Sequence, residues 1–128
     1  MTTDKFIKFA IFFAVTAVAL GALGAHALKE ALTESQLHSF ETGVRYQLFH
    51  ALALLVLALN SEKFNQNLKK SLVLMIAGIC LFSFSIYLLS IQEAAEISLS
   101  FLGLITPLGG LLLISAWLVL FFSIKKQG

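Results

Sequence analysis

Charge is what this chain has least of. Only 12% of its 128 residues are Asp, Glu, Lys or Arg, about half the share found in soluble domains. The hydrophobic fraction is 59% and the mean hydropathy is +0.91. A water-soluble fold of this composition would have too little polar surface to cover itself, so lipid is the expected solvent for much of the chain. Cysteine is nearly absent. Cys80 stands alone in an apolar run, which excludes an intrachain disulfide, and a small packing residue is its expected role. No basic run is long enough to suggest a nucleic-acid partner. A nucleophile elbow, a phosphate loop and a pair of intramembrane carboxylates are all missing, which argues against an enzyme, and no cofactor is implied.

What is present is four apolar stretches: Phe9 to Ala25 (preceded by Phe6 and Ile7), Leu48 to Leu59, Leu72 to Ile91, and Leu99 to Phe122. A helix needs about 20 apolar residues to cross the hydrocarbon core. The first, third and fourth stretches meet that length. Backbone groups in lipid must be satisfied within the segment, so these are helices rather than strands. The second stretch is too short to span alone. It completes a crossing only by extending backwards through His50, Gln47, Tyr46 and Arg45; otherwise it is re-entrant. The reading is a single all-α domain over residues 1–128, an integral membrane four-helix bundle with approximate spans 6–26, 43–60, 71–91 and 99–122.

Charge distribution decides the topology. Lys5 and Lys8 precede the first helix, Lys63, Lys69 and Lys70 lie between the second and third, and Lys125 and Lys126 follow the fourth. Four crossings place all seven on one side. The other side receives Lys29 and, at its edge, Arg45. The loop after the third helix holds Glu93 and Glu96, read as a solvated turn, and no basic residue. This asymmetry fits the positive-inside rule with both termini cytoplasmic. A competing reading takes Lys5, Lys8, the first apolar stretch and Ala25-His26-Ala27 as a signal peptide. The apolar stretch is long for that.

The connection between the first two helices is expected to be structured. Thr33 and Gln36 have the spacing of a capping box. Leu37, Phe40 and Val44 follow at helical spacing. An amphipathic interfacial helix feeding the second span, with Gly43 as a bend, is the expectation. In the first helix Ala10, Ala14, Ala17, Gly21 and Ala25 form a small-residue stripe suited to close helix packing. In the fourth, Pro107 removes a backbone donor and frees the carbonyl of Gly103, so a kink is expected there.

Depth brings candidate site residues together. With Asn60 at the cytoplasmic edge and a rise of about 1.5 Å per residue, His50 lies roughly 15 Å in and Arg45 roughly 22 Å in. Thr106 and Pro107 of the fourth helix, and Ser85 and Tyr87 of the third, reach the same outer-leaflet layer as Arg45, Tyr46 and Gln47. The expectation is a polar cluster in which Arg45 or Gln47 donates to the carbonyls freed by Pro107. Arg45 in the membrane costs about 2.5–3.5 kcal/mol on insertion scales and calls for a partner. Glu41, one turn earlier, is the candidate; snorkelling to the interface is the alternative. His50 shares a face with Tyr46. It reads as a buried histidine bonded to a neighbouring helix, or as a proton relay. His26, His38 and His50 lack ligand spacing, so no metal is expected.

Three motifs carry a resemblance: Gly21-Ala22-Leu23-Gly24-Ala25-His26; Arg45-Tyr46-Gln47-Leu48-Phe49-His50-Ala51-Leu52-Ala53-Leu54; and Ile105-Thr106-Pro107-Leu108-Gly109-Gly110 with Ser115-Ala116-Trp117 beyond it. Together, and in this order over nearly the whole chain, they resemble the domain-of-unknown-function 423 family of small YgdD-like inner-membrane proteins. The resemblance implies a four-helix membrane protein, usually bacterial, whose first helix is retained. It implies no activity. It marks His26, Arg45, Tyr46, Gln47, His50, Thr106 and Pro107, which depth and polarity also select.

The functional expectation is a non-enzymatic accessory, assembly or lipid-contacting component of a cell membrane, the bacterial inner membrane. Its expected partners are membrane lipids, further copies of itself or other membrane proteins. The alternative is permeation or transport of a proton or small solute by an oligomer, through a cluster around Arg45 and His50.

Overall fold

A chain in lipid must satisfy its backbone locally, and a helix does so within one segment. The computed structural model describes residues 2–126 and follows that rule. Its α-helices are α1 (Thr3–Ala25), α2 (Ala27–Ala31), α3 (Glu34–Leu59), α4 (Leu68–Ile91) and α5 (Ile105–Phe121), with 3-10 turns at Ser61–Lys63 and Ser100–Gly103. Met1, Gln127 and Gly128, the ends of the expected 1–128 domain, lie outside the described residues. Among the described residues the one β feature is an isolated antiparallel bridge, Phe64 to Ile124.

Four helical segments are long and apolar enough to cross a membrane: α1 with 23 residues, α3 with 26, α4 with 24, and Ser100–Phe121 with 22. At about 1.5 Å per residue the shortest reaches roughly 33 Å, enough for a hydrocarbon core of about 30 Å. Each helix packs chiefly on its chain neighbour: α1 on α3, α3 on α4, and α4 on α5. The shared core joins all four, with Phe6 and Phe13, Leu54 and Ala58, Met75 and Ile79, and Leu113 and Ala116 among its members. Val18, Phe49, Val56, Leu111 and Phe121 point outward and are exposed. Such an apolar exterior would be a liability in water; in a bilayer it is the lipid-facing surface.

Small residues set the closest approaches, as the stripe on α1 leads one to expect. Ala10, Ala17 and Gly24 of that stripe and its motif are buried. Between α4 and α5 the approach is backbone to backbone. A Cβ at Gly109 would collide with the backbone N of Phe82 and sit 2.7 Å from the carbonyl carbon of Leu81.

Helix ends explain two departures from the sequence reading. The Thr33 capping box forms, with Gln36 N–H donating to Thr33 Oγ1 at 3.1 Å and Thr33 N–H to Gln36 Oε1 at 2.9 Å. The helix it opens runs unbroken through Gly43 to Leu59. Residues 33–44 are therefore the first turns of the second long helix, not a separate interfacial element, and Gly43 is not a bend. At about 39 Å this helix exceeds the hydrocarbon by about 9 Å, so its first turns project beyond the core. Second, Pro107 does not kink a helix. It sits in the first turn of α5, two residues after Ile105, where N–H groups have no intrahelical acceptor anyway. The turn expected at Glu93 and Glu96 is present and exposed, and it has a defined geometry. Ile97 N–H donates to Gln92 O at 3.0 Å and Glu96 N–H to Glu93 O at 3.1 Å, the bond pair of a Schellman stop, with Glu96 at φ 56. Glu93 also accepts from Gln36 Nε2 at 2.8 Å.

Both ends of the described chain reach the α3–α4 connection. Asn65 N–H donates to Ser123 O at 2.7 Å and Lys125 N–H to Lys63 O at 3.1 Å, clipping the tail after α5 to the α3–α4 connection. Thr3 and Phe6 line a cavity of about 220 Å³ together with Ser61, Phe64 and Lys69. The start of α1, the α3–α4 loop and the end of α5 therefore share one end of the bundle, and the seven lysines collect there.

Gly109→Ala should lower unfolding stability in detergent by about 1–3 kcal/mol, the usual range for overpacking. Gly103→Ala, whose Cβ would meet nothing within 4 Å, should change it by less than about 0.5 kcal/mol. Thermal or denaturant unfolding of the two variants checks this.

Candidate functional site

Gln47 is fully buried on the face of α3 that looks between α1 and α4. A carboxamide there has two donors and an acceptor to satisfy, and each has a partner. Its Nε2 donates to Phe13 O at 2.8 Å and to Thr16 Oγ1 at 2.6 Å, both on α1. Its Oε1 accepts from the Tyr87 hydroxyl of α4 at 2.6 Å. One side chain thus ties three helices. One turn earlier on α3, Gly43 makes room for this bond. A Cβ at Gly43 would sit 2.7 Å from Tyr87 Cε1. One turn earlier on α4, Ser83 Oγ donates to Gly43 O at 2.8 Å. The pairs Gly43 with Gln47 and Ser83 with Tyr87 share the four-residue spacing that puts side chains on one helical face. Phe40 packs on the Tyr87 ring with centroids 4.9 Å apart, and Phe84 at 6.0 Å.

A second tie links α3 to α5. Trp117 Nε1–H donates to His50 Nε2 at 3.0 Å, and His50 Nδ1 lies 2.8 Å from Tyr46 O. An indole is only a donor and a carbonyl only an acceptor. The partners therefore assign the tautomer: the proton is on Nδ1 and Nε2 carries the lone pair. The imidazole is buried, edge-on to Trp117 and nearly parallel to the Tyr46 ring.

Further ties join α4 to α5. Ser71 Oγ donates to Ala116 O at 2.7 Å. Ser85 Oγ and Thr106 Oγ1 lie 2.6 Å apart, with Ser85 also donating to Phe82 O at 2.9 Å. Thr106 and Pro107 line an open cleft of about 350 Å³ with Ser35, Ser39 and Ser90. Among the described residues no buried side-chain nitrogen or oxygen lacks a hydrogen-bond partner.

The single cluster expected from depth is thus several separate ties. Gln47 and Tyr87 do meet. Thr106 meets Ser85 rather than Gln47. Tyr46 faces outward, its ring against Phe82 with centroids 4.9 Å apart. Gln47 donates to α1, not to carbonyls near Pro107. Arg45 stands apart: it is exposed, and its Nη2 donates to Thr42 Oγ1 at 3.2 Å, one turn toward the start of α3. A long cationic side chain that begins below the interface reaches back to it in this way. Among the described residues Arg45 forms no ion pair, so Glu41 is not its partner; Glu41 is exposed. His26 is also exposed, ending α1 with its backbone N–H on Ala22 O and Leu23 O. Among the described residues no three His, Cys, Asp or Glu side chains are placed to hold a metal ion.

Sequence reasoning did not assign Thr16, Ser71, Ser83 or Trp117. The four-residue spacing of Ser83 and Tyr87 was the available signal. Phe13 O is invisible to any side-chain reading, because Gln47 binds a backbone carbonyl.

A double-mutant cycle between Gln47→Leu and Tyr87→Phe should give a coupling of about 0.6–1.7 kcal/mol, from the average to the largest value typical of hydrogen bonds between membrane helices. Nitrogen-15 NMR of labelled histidine should show His50 protonated at Nδ1 and bare at Nε2; Trp117→Phe should remove the hydrogen-bond shift at Nε2. A protonated Nε2 in the wild type contradicts the assigned tie.

The three sequence motifs now have physical places. The first brings Gly24 against Phe40 of α3, at 3.2 Å for a Cβ; the second supplies Gln47 and His50; the third supplies Thr106, Gly109, Ala116 and Trp117. The profile described as "Protein of unknown function (DUF423)" matches residues 20–110. The UPF0382 membrane protein YwdK of Bacillus subtilis is 39% identical over 123 residues, covering 94% of this chain and 96% of its own. A UPF0382 membrane protein of Haemophilus influenzae is 34% identical, covering 97% and 96%. The UPF0382 inner membrane protein YgdD of Escherichia coli is 31% identical, covering 100% and 97%. No solved structure matches. With the match spanning most of its length and relatives aligned almost end to end, this chain belongs to the DUF423 family of membrane proteins.

Proposed function

We propose that this protein is a non-enzymatic accessory component of the bacterial inner membrane, with both termini cytoplasmic, that acts through its lipid- and protein-facing surfaces. The observation that carries this reading is the use made of the buried polar side chains. Gln47, Tyr87, Ser83, Ser71 and His50 each spend their hydrogen-bonding groups on another helix or on their own backbone. A relay needs a group that can exchange partners with water or substrate. Here the His50 lone pair is committed to Trp117 and its proton to Tyr46 O.

The orientation rests on the lysine-rich end, which holds both described chain ends and the α3–α4 loop, together with the positive-inside rule. The inner membrane is supported by the Escherichia coli relative, which is named an inner membrane protein.

Reconstitution in liposomes loaded with a pH-sensitive dye tests the reading. Wild-type protein should give proton flux no greater than protein-free liposomes, and His50→Ala should not alter it. Flux that His50→Ala abolishes would overturn it in favour of permeation through an oligomer.

A further inference from the structure

The lysine-rich end carries chemistry that the internal ties do not use. Its seven lysines face only two acidic residues, Asp4 and Glu62, whereas the opposite end sets five glutamates against Lys29 and Arg45. Helix dipoles add little net charge there, because the starts of α1 and α4 share this end with the ends of α3 and α5.

Shallow, open grooves descend from it on the lipid-facing surface. One runs down a single face of α4 past Lys69, Lys70, Val73 and Leu74. Another lies between α4 and α5, lined by Asn67, Lys70, Leu118, Val119 and Phe122. Lys70 borders both. On α1 the same pattern recurs, with Lys5 and Lys8 one turn above Phe9 and Phe12. Val73, Leu118 and Phe122 are exposed, and no acidic side chain lines any of the three grooves.

A soluble anion would satisfy the ammonium groups but gain nothing from apolar walls. An apolar partner helix would cover the walls and leave the lysines without counter-charge. A phospholipid has both parts in the observed order, with phosphate at the boundary and chains below it. A zwitterionic headgroup brings its own cation into competition with the lysines; a headgroup of net negative charge does not.

We infer that the start of α4 binds an anionic phospholipid, its headgroup on Lys69 and Lys70 and one acyl chain in the groove on each side of Lys70. This deepens the reading of the protein as a lipid-contacting component by naming the lipid class, and it rests on that reading only in taking this surface to be lipid-facing.

Trp117 is the sole tryptophan, but it faces His50 of α3, roughly 150° round α5 from the groove residues Leu118, Val119 and Phe122; Phe122→Trp in a Trp117→Phe background puts the only fluorophore of this kind in the groove itself. Its fluorescence can be quenched by phospholipids brominated in the acyl chain. Titration with brominated phosphatidylglycerol in phosphatidylcholine bilayers, and the converse, should show a preference of about fivefold or more for the anionic lipid, the factor expected of one lysine at a charged surface. Lys69→Gln with Lys70→Gln should bring the ratio close to one, and Lys69→Arg with Lys70→Arg should restore it. Lys125→Gln with Lys126→Gln removes the same charge from the same end and should leave the ratio unchanged. An unchanged tryptophan emission maximum in phosphatidylcholine verifies folding of each lysine variant. Equal quenching by both lipids with all lysines present, or equal loss in both glutamine variants, would overturn the site. Proton flux in the same vesicles would refute the non-transport reading while leaving the lipid preference intact.

Discussion

Gln47 is the residue on which the bundle turns. An amide in hydrocarbon cannot turn to water, so leaving it without partners costs several kcal/mol. Its partners, Phe13 O, Thr16 and Tyr87, lie on the helices to either side. Apolar packing alone orders membrane helices poorly, because lipid tails are as apolar as leucine. A buried amide with three named partners selects one rotation and one depth for α1, α3 and α4 together. The small residues around it follow from that choice. Gly43 has to be small because Tyr87 crosses it, and the close approach lets Ser83 donate to the Gly43 carbonyl.

The same economy operates between α4 and α5, with different groups. There the backbones approach until Gly109 meets Leu81 and Phe82, and serine hydroxyls bond across the seam. His50 and Trp117 then join α3 to α5. Each bond is worth little by itself, about 0.6 kcal/mol on average between membrane helices. Their collective effect is geometric. Depth and azimuth are fixed on each helix pair by at least one directional contact.

Much of this was legible in the residues. Hydropathy located three full-length spans and one short apolar stretch, the lysine distribution called for a fourth helix of spanning length, which α3 is, and the Thr33–Gln36 spacing marked the start of α3. Depth alone placed Gln47 level with Tyr87, and they do bond. What could not be read is azimuth. Arg45 and Gln47 are two residues apart and therefore about 200° apart on a helix, so one faces the bundle and the other faces out. Nor does a string of letters say that Pro107 begins a helix, because the 3-10 turn at Ser100–Gly103 that precedes it has no marker of its own. The acceptor of Gln47 is a backbone carbonyl, which side-chain reasoning does not reach. The family motifs supply Gln47, His50, Thr106, Gly109 and Trp117 to these ties and close approaches, whereas Thr16, Gly43, Ser83 and Tyr87 come from outside the motifs and the motif residue Arg45 takes part in no tie between helices.

The central claim is that the buried polar groups are ties between helices, closed to water. Water-edited solid-state NMR of the protein in bilayers addresses it directly, by measuring polarisation transfer from mobile water to the side chains of Gln47 and His50. Transfer as slow as to the surrounding core methyls of Leu54 and Ile79 is the result this account expects. Rapid transfer, at the rate seen for the exposed lysines, would mean a hydrated path through the bundle and would contradict it.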